Sequence, residues 1–318
     1  MTTTATRPST LAAPTGVNRS AAIRLGLLAA IWGTSFLLIK VALEDLTPMQ
    51  IVLGRMAIGA TILLAVLAMR GERLPSGRRI WASLAFVGVV ANVVPFFLIA
   101  WGEQYVGSGL AGIYNATTPL FTLVVATAAL PEERPTAAKT AGLVVGFLGV
   151  LLVMAPWRGV GHAALAGQLA CLGGAACYAV AITYTRRNLS GSGHPPVVLA
   201  AGQLICATVV VIMLGPLWVT SSVSLPPKVL ASMLALGALG TGIAYLIFYR
   251  LIGEIGATAA STVTYLVPVV AVTLGVAVLG EAVGWNDFVG AAVVLLGVAV
   301  AGGQLRRVPG LGRAGRPA

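Results

Sequence analysis

The sequence predicts an all-α integral membrane protein: ten transmembrane helices arranged as two inverted five-helix repeats around a central cavity. Three observations carry that reading. The 318-residue chain is 58% hydrophobic and 9% charged, with a mean hydropathy of +0.95, where soluble domains carry roughly 25% charged residues. Ten apolar stretches meet the roughly 20 residues that a helix needs to cross a bilayer core. Lys and Arg alternate between rich and poor along the connectors. Such a composition excludes a disordered chain. It also argues against a soluble enzyme, because so few charges could not cover a water-facing surface of this size.

In chain order the spans are 25–43, 48–69, 80–101, 107–129, 138–155, 165–185, 197–219, 229–251, 257–279 and 285–304. The connectors are short and carry turn residues, as in Pro75-Ser76-Gly77, Pro131 to Pro135, and Ser190 to Gly193 before Pro195-Pro196. They leave no room for an extramembrane domain. Residues 1–20, rich in Thr, Ala, Ser and Pro, are expected to form a disordered cytoplasmic tail, and residues 306–318 a basic one. The first apolar stretch is not followed by a small-x-small cleavage site and reads as a retained helix.

The net charge of +11 is explained by basic cytoplasmic loops rather than by a nucleic-acid partner. With the N-terminus in the cytoplasm, the inner segments hold Arg7, Arg19, Arg24, Arg70, Arg73, Arg78, Arg79, Arg134, Lys139, Arg186, Arg187, Arg250, Arg306, Arg307, Arg313 and Arg316. The outer loops hold only Arg158 and Lys228. Both termini then lie in the cytoplasm, and adding or losing one span would scramble the alternation.

The chain repeats itself. At an offset of 149, Gly107 meets Gly256, Ala111 meets Ala260, Pro119 meets Pro268 and Glu132 meets Glu281. Residues 142–153 match 290–301, and Gly26, Ala29 and Gly33 match Gly167, Ala170 and Gly174. The repeats are 25–155 and 165–304. Five helices is an odd number, so the second half enters the bilayer from the opposite side. Inverted repeats of this kind mark secondary transporters, with the substrate site at the midplane between halves.

Pro119 and Pro268 fall near mid-span, where each removes the hydrogen bond to the carbonyl four residues earlier. Those carbonyls belong to Asn115 and Thr264, which are polar and equivalent in the repeat. Both prolines are therefore expected to be hinges beside a hydrated site. Thr258, Ser261, Thr262 and Tyr265 fall on one helical face, as do Asn115, Thr118 and Thr122. Asn92 with Pro95, Thr241 with Tyr245, and Trp32, Thr34, Ser35, Tyr178 and Tyr184 add polar groups on other helices.

Lys40 and Arg55 are the basic residues within spans. Lys40 stands close enough to its helix end to snorkel. Arg55 is deeper, and fits either a structural hydrogen-bond hub or a substrate contact. The acids Glu44, Asp45, Glu103, Glu254, Glu281 and Asp287 fall at span ends or in loops, so no mid-span proton relay is expected. Cys171, Cys177 and Cys206 read as small core residues, and His162 and His194 as loop residues. No metal motif and no phosphate-binding GxxxxGK[ST] motif occurs, and no cofactor is expected. Gly142-x3-Gly146 allows close helix packing or a homodimer.

Together these features resemble the EamA-type branch of the drug/metabolite transporter superfamily. The pieces that carry the resemblance are Trp32-Gly33-Thr34-Ser35-Phe36 followed by Lys40; Arg55; and Tyr105 to Ala111 with Pro119 and Glu132-Glu133-Arg134. The second copy runs from Ile255-Gly256-Ala257 through Pro268 to Glu281, but Ala282-Val283 follows where the first copy has Glu-Arg. The resemblance implies two inverted five-helix halves, a central cavity, alternating access, and passage of small metabolites such as amino acids across the inner membrane.

The expected function is therefore a permease, an exporter of a small metabolite. Its substrate would contact Trp32, Lys40, Arg55, Asn92, Tyr114, Asn115, Tyr178, Tyr245, Thr264 and Tyr265. Its partners are that solute and the lipid bilayer, not nucleic acid. Two other readings stay open on sequence alone. A lipid-modifying membrane enzyme would need clustered His, Asp or Glu at one interface. A non-transporting scaffold would leave the paired mid-span prolines unexplained.

Overall fold

The computed structural model describes residues 19–131, 133, 136–159, 161–218 and 223–302. Both terminal tails, Glu132 and Arg134 lie outside the described residues, as does the side chain of Thr258. The described residues are helical, without strands. We number the helices α1 (Arg19–Ala42), α2 (Pro48–Arg70), α3 (Arg78–Gly102), α4 (Ser108–Ala129), α5 (Ala137–Met154), α6 (His162–Asn188), α7 (Pro196–Trp218) and α8 (Pro227–Ile255). Next come α9, made of Ala257–Ala260 and Val263–Leu279, and α10 (Trp285–Ala301). Eight are long and apolar enough to cross a membrane; Val263–Leu279 and Trp285–Ala301 are shorter apolar helices. The chain is an integral membrane protein by this character. Outward-facing Met69, Ile212, Met213, Val269, Val278 and Phe288 are exposed, which suits contact with lipid and not with water.

Local chemistry explains the helix ends. Thr47 caps α2: its hydroxyl accepts from Gln50 N, its own N–H donates to Gln50 Oε1 at 2.8 Å, and Pro48 stands where no donor is needed. Gly71 closes α2 at φ 66°, a left-handed position that glycine adopts without strain.

The packing relations of the two halves match. α1 packs on α8 and α9, and α6 packs on α3 and α4. α2 packs on α7 and α8, and α7 packs on α2 and α3. α4 meets α9, and α5 meets α10. The last contact is set by glycine. A Cβ on Gly142 would lie 2.4 Å from Ala301 N, and one on Gly149 2.5 Å from Val294 N. The Gly142-x3-Gly146 face is thus taken up inside the chain.

Four irregularities bear on function. α3 carries a five-residue π-turn at Val89–Val93, and α8 one of six residues at Ala238–Ile243. Their starts differ by the repeat offset of 149. α4 breaks at Ala116 and Thr117, and α9 at Ser261 and Thr262. Pro119 therefore sits in the first turn of the second piece of α4, where a missing N–H costs least. The Asn115 carbonyl takes the Thr118 hydroxyl at 2.7 Å. Pro268 instead lies inside the continuous helix Val263–Leu279. The break in α9 falls one turn before its expected place, so Ser261, Thr262 and Tyr265 do not share one uninterrupted helical face.

Candidate functional site

The π-turns bring a polar cluster to the middle of the bundle. Arg55 on α2 is 6% exposed. Its Nε donates to Thr241 Oγ1 at 2.9 Å and its Nη2 to the Gly240 carbonyl at 3.4 Å, both on the π-turn of α8. Thr241 in turn donates to the Leu236 carbonyl at 3.2 Å. A π-turn departs from the regular ladder of α-helical hydrogen bonds, and Arg55 binds the backbone there. Gly240 is closely packed: a Cβ there would lie 2.9 Å from Ser35 Oγ of α1, and that hydroxyl would have to shift.

The guanidinium lies 3.8 Å over the Phe96 ring of α3, a cation–π contact favoured where water is excluded. Tyr178 of α6 stands edge-on to Phe96 at 6.3 Å. Tyr245 of α8 donates to Asn92 Oδ1 at 2.8 Å. The ring chain Tyr245–Tyr249–Phe248–Trp32 continues to α1 with centroid spacings of 6.2, 5.9 and 5.3 Å. Among the described residues no carboxylate lies within ion-pair distance of Arg55. A buried cation held only by neutral groups is equipped to receive an anion.

The expected site residues thus fall in three places. Arg55, Asn92, Tyr178 and Tyr245 come together, with Trp32 joined through the rings. Lys40 is elsewhere on α1: its Nζ donates to the carbonyls of Glu103 and Val106, the latter at 2.9 Å. The remaining four belong to the broken helices. Tyr114 is fully buried in the largest apolar cluster, its hydroxyl without a partner. Asn115 is half-buried, and its Oδ1 is also unpartnered. Thr264 donates to the Ser261 carbonyl at 2.8 Å, and Tyr265 packs against the Leu120, Val150, Val294 and Val298 cluster.

Sequence reasoning left out Phe96, Tyr249 and Glu103. Phe96 follows Asn92, and Tyr249 follows Tyr245, by four residues, so each shares a helical face with a residue already chosen. Glu103 is correctly read at a span end, yet it is fully buried.

At that end of the bundle, Glu281 caps α4. Its Oε1 accepts from Ser108 N at 2.7 Å and its Oε2 from Gly109 N at 3.0 Å. A carboxylate at a helix N-terminus satisfies free N–H groups and suits the helix dipole. This gives the α9–α10 loop of the second repeat a role despite its departure from the first-repeat sequence. At the opposite end, Glu133 accepts from Lys139 and Arg186, each at 2.7 Å. Those cations hold its carboxyl below the usual carboxylate range. Glu254 pairs with Arg24 and Arg250. Among the described residues no group of three or more His, Cys, Asp or Glu could hold a metal.

A bundle of apolar helices that buries a cation among aromatic rings, with no ion pair to it among the described residues, fits the class of membrane transport proteins. The profile of the EamA-like transporter family matches residues 20–155 and again 165–303, and the chain belongs to that family. An uncharacterized transporter of Archaeoglobus fulgidus is 28% identical over 87% of this chain and 96% of its own length. The uncharacterized inner membrane transporter YedA of Escherichia coli is 27% identical over 84% and 86%. A protein named a probable terminal-alkyne amino-acid exporter, from Streptantibioticus cattleyicolor, is 25% identical over 86% and 90%. A solved crystal structure superposes with a TM-score of 0.64 over 92% of this chain and all of its own, at 22% identity, which speaks to the fold alone. The protein is a transporter and not an enzyme.

Proposed function

We propose that the protein exports a small metabolite bearing a carboxylate, an amino acid or a close relative, across the cytoplasmic membrane by alternating access. The observation that carries this reading is Arg55: a buried guanidinium without an acidic partner, flanked by Asn92, Tyr178 and Tyr245. The substrate carboxylate would pair with Arg55, as planar guanidinium and carboxylate geometries match. The Asn92 amide and the tyrosine hydroxyls would fix its orientation, and Phe96 and Trp32 would cover its apolar part.

The ten helices are read as two inverted repeats with both termini cytoplasmic, the halves rocking about the central site. Several observations support this. The packing relations survive exchange of the halves, and the π-turns recur at the repeat offset. Ion pairs join segments that the alternation assigns to one side: Arg24 with Glu254, Glu133 with Lys139 and Arg186, and Glu44 with Lys228. Pro119, Pro268 and the neighbouring breaks would absorb the rocking motion. The relative named a probable terminal-alkyne amino-acid exporter supports the substrate class.

The test is exchange of a ¹⁴C-labelled amino-acid mixture in proteoliposomes. Exchange above empty vesicles is expected, with at least about a tenfold loss in Arg55→Gln, the equivalent of about 1.4 kcal/mol of binding. No exchange by the wild type, or full exchange by the variant, would defeat the reading.

A further inference from the structure

Glu103, the residue that follows α3, has a feature that the transport reading does not use. It is 0% exposed, and neither carboxylate oxygen has a hydrogen-bond partner. The nearby cation does not serve it: the Lys40 ammonium donates hydrogen bonds to the Glu103 and Val106 backbone carbonyls, not to the carboxyl group. The surroundings are tight. A Cβ on Gly102 would lie 2.7 Å from Cys171 Sγ and 2.8 Å from the Gly167 carbonyl. The ionisable groups facing Glu103 are Lys40 of α1, Arg55 of α2, Cys171 of α6 and Glu281 from the loop before α10. Glu281 is already committed to the N-terminus of α4. Burial pushes the Glu103 carboxyl well above the usual carboxylate range; Lys40 and Arg55 oppose this, and Glu281 adds to it.

A carboxylate sealed away without a donor is strongly disfavoured, whereas the neutral acid is tolerated. We propose that Glu103 is a proton-binding site that must be loaded before this end of the bundle closes. This rests on the transport reading. In the packed arrangement the acid is neutral. When α1, α4 and α6 part from it, water enters, the carboxyl gives its proton to that water, and Lys40 leaves the carbonyls to pair with the carboxylate. Reclosure takes one proton back from the same side. Closure is therefore favoured by acid and held back by alkali, as expected when a proton binds one of two conformations more tightly.

The experiment is exchange of the ¹⁴C-labelled amino-acid mixture at equal pH inside and outside, stepped from acid to alkaline. Above the titration midpoint the wild type is expected to slow by about tenfold per pH unit, as the loaded fraction falls. Glu103→Gln, a permanent mimic of the neutral acid, is expected to keep exchange and lose that slope. Identical pH profiles for wild type and variant overturn the proposal while leaving transport standing. If Glu103→Gln cannot be reconstituted, Glu103→Asp takes its place: a displaced midpoint supports the proposal and an unmoved one overturns it. If the wild type exchanges nothing, the substrate reading has failed, and infrared spectroscopy decides on Glu103. A protonated-carboxyl C=O band at neutral pH that Glu103→Gln abolishes supports the site; identical spectra overturn it.

Discussion

Tyr245 donates its hydroxyl to Asn92 Oδ1 at 2.8 Å, and this bond ties α8 to α3 across the two halves. Asn92 is 0% exposed and its Nδ2 has no acceptor. The amide therefore keeps one committed atom and one unspent donor. Unpaired donors are costly in a dry interior, and under the proposed function this one is free to meet the substrate.

Tyr245→Phe is expected to remove the bond while keeping the ring stack with Tyr249. It would strand both polar atoms of Asn92, at a cost of about 1–3 kcal/mol. Thermal unfolding in detergent should show a lowered Tm, and exchange of amino acids should show a raised KM. An unchanged Tm would mean that the hydroxyl does not hold the halves together.

Much of this arrangement was legible in the sequence, because hydrocarbon imposes strong rules on a chain. Helix positions followed from hydropathy, with differences at the ends: α6 begins at His162 rather than 165, and α8 runs on to Ile255 rather than 251; eight of the helices are long enough to span, and the last two apolar helices are shorter. Asn92 and Thr241 were visible as polar residues within apolar helices. Their relation to Arg55 was not, since π-turns leave no simple residue signature and reset which side chains face inward. Proline located the irregularities only approximately: the turns at 116–117 and 261–262 end two and six residues before Pro119 and Pro268, and the Thr118 hydroxyl takes the Asn115 carbonyl beside the first. The burial of Glu103 was hidden for a similar reason: a charge at a span end reads as solvated until the packing of Gly102 against α6 is known.

Glu281 holds two backbone N–H groups of α4 from a distant part of the chain. Bonds to a charged acceptor are worth about 1.5–3 kcal/mol each in favourable cases. Glu281→Ala should therefore lower the Tm clearly. Glu44→Ala, which breaks the exposed pair with Lys228, should lower it far less, because solvent screens an exposed pair. Equal shifts in the two variants would show that Glu281 is only another surface charge.

Glu133 supplies a pH dependence whose sign is fixed. Its folded carboxyl titrates below the usual range because Lys139 and Arg186 donate to it. The stabilisation is then fully present above the ordinary carboxylate range and is lost as pH falls through the depressed value. The pair is partly solvated, so the effect is small, under about 1 kcal/mol. Wild type and Glu133→Gln should differ in Tm near neutral pH and converge in acid. A gap that persists in acid would assign the stabilisation to packing instead.

Gly297 tests how far the bundle depends on backbone contact between α5 and α10. A Cβ there would lie 2.3 Å from Gly146 N and 2.4 Å from Gly146 Cα. Backbone cannot step aside as a flexible side chain can, so the two helices would have to separate. Overpacking of this kind typically costs about 1–3 kcal/mol, occasionally more. Gly26 is the control: it is also helical, but a Cβ there meets nothing within 4 Å. Replacing it by alanine should stabilise α1 slightly, by up to about 1 kcal/mol, through higher helix propensity. Gly297→Ala should thus lower the yield of monodisperse protein and its Tm, while Gly26→Ala leaves both intact or improved. If both variants behave alike, the close approach of α5 to α10 is not what holds the two halves together.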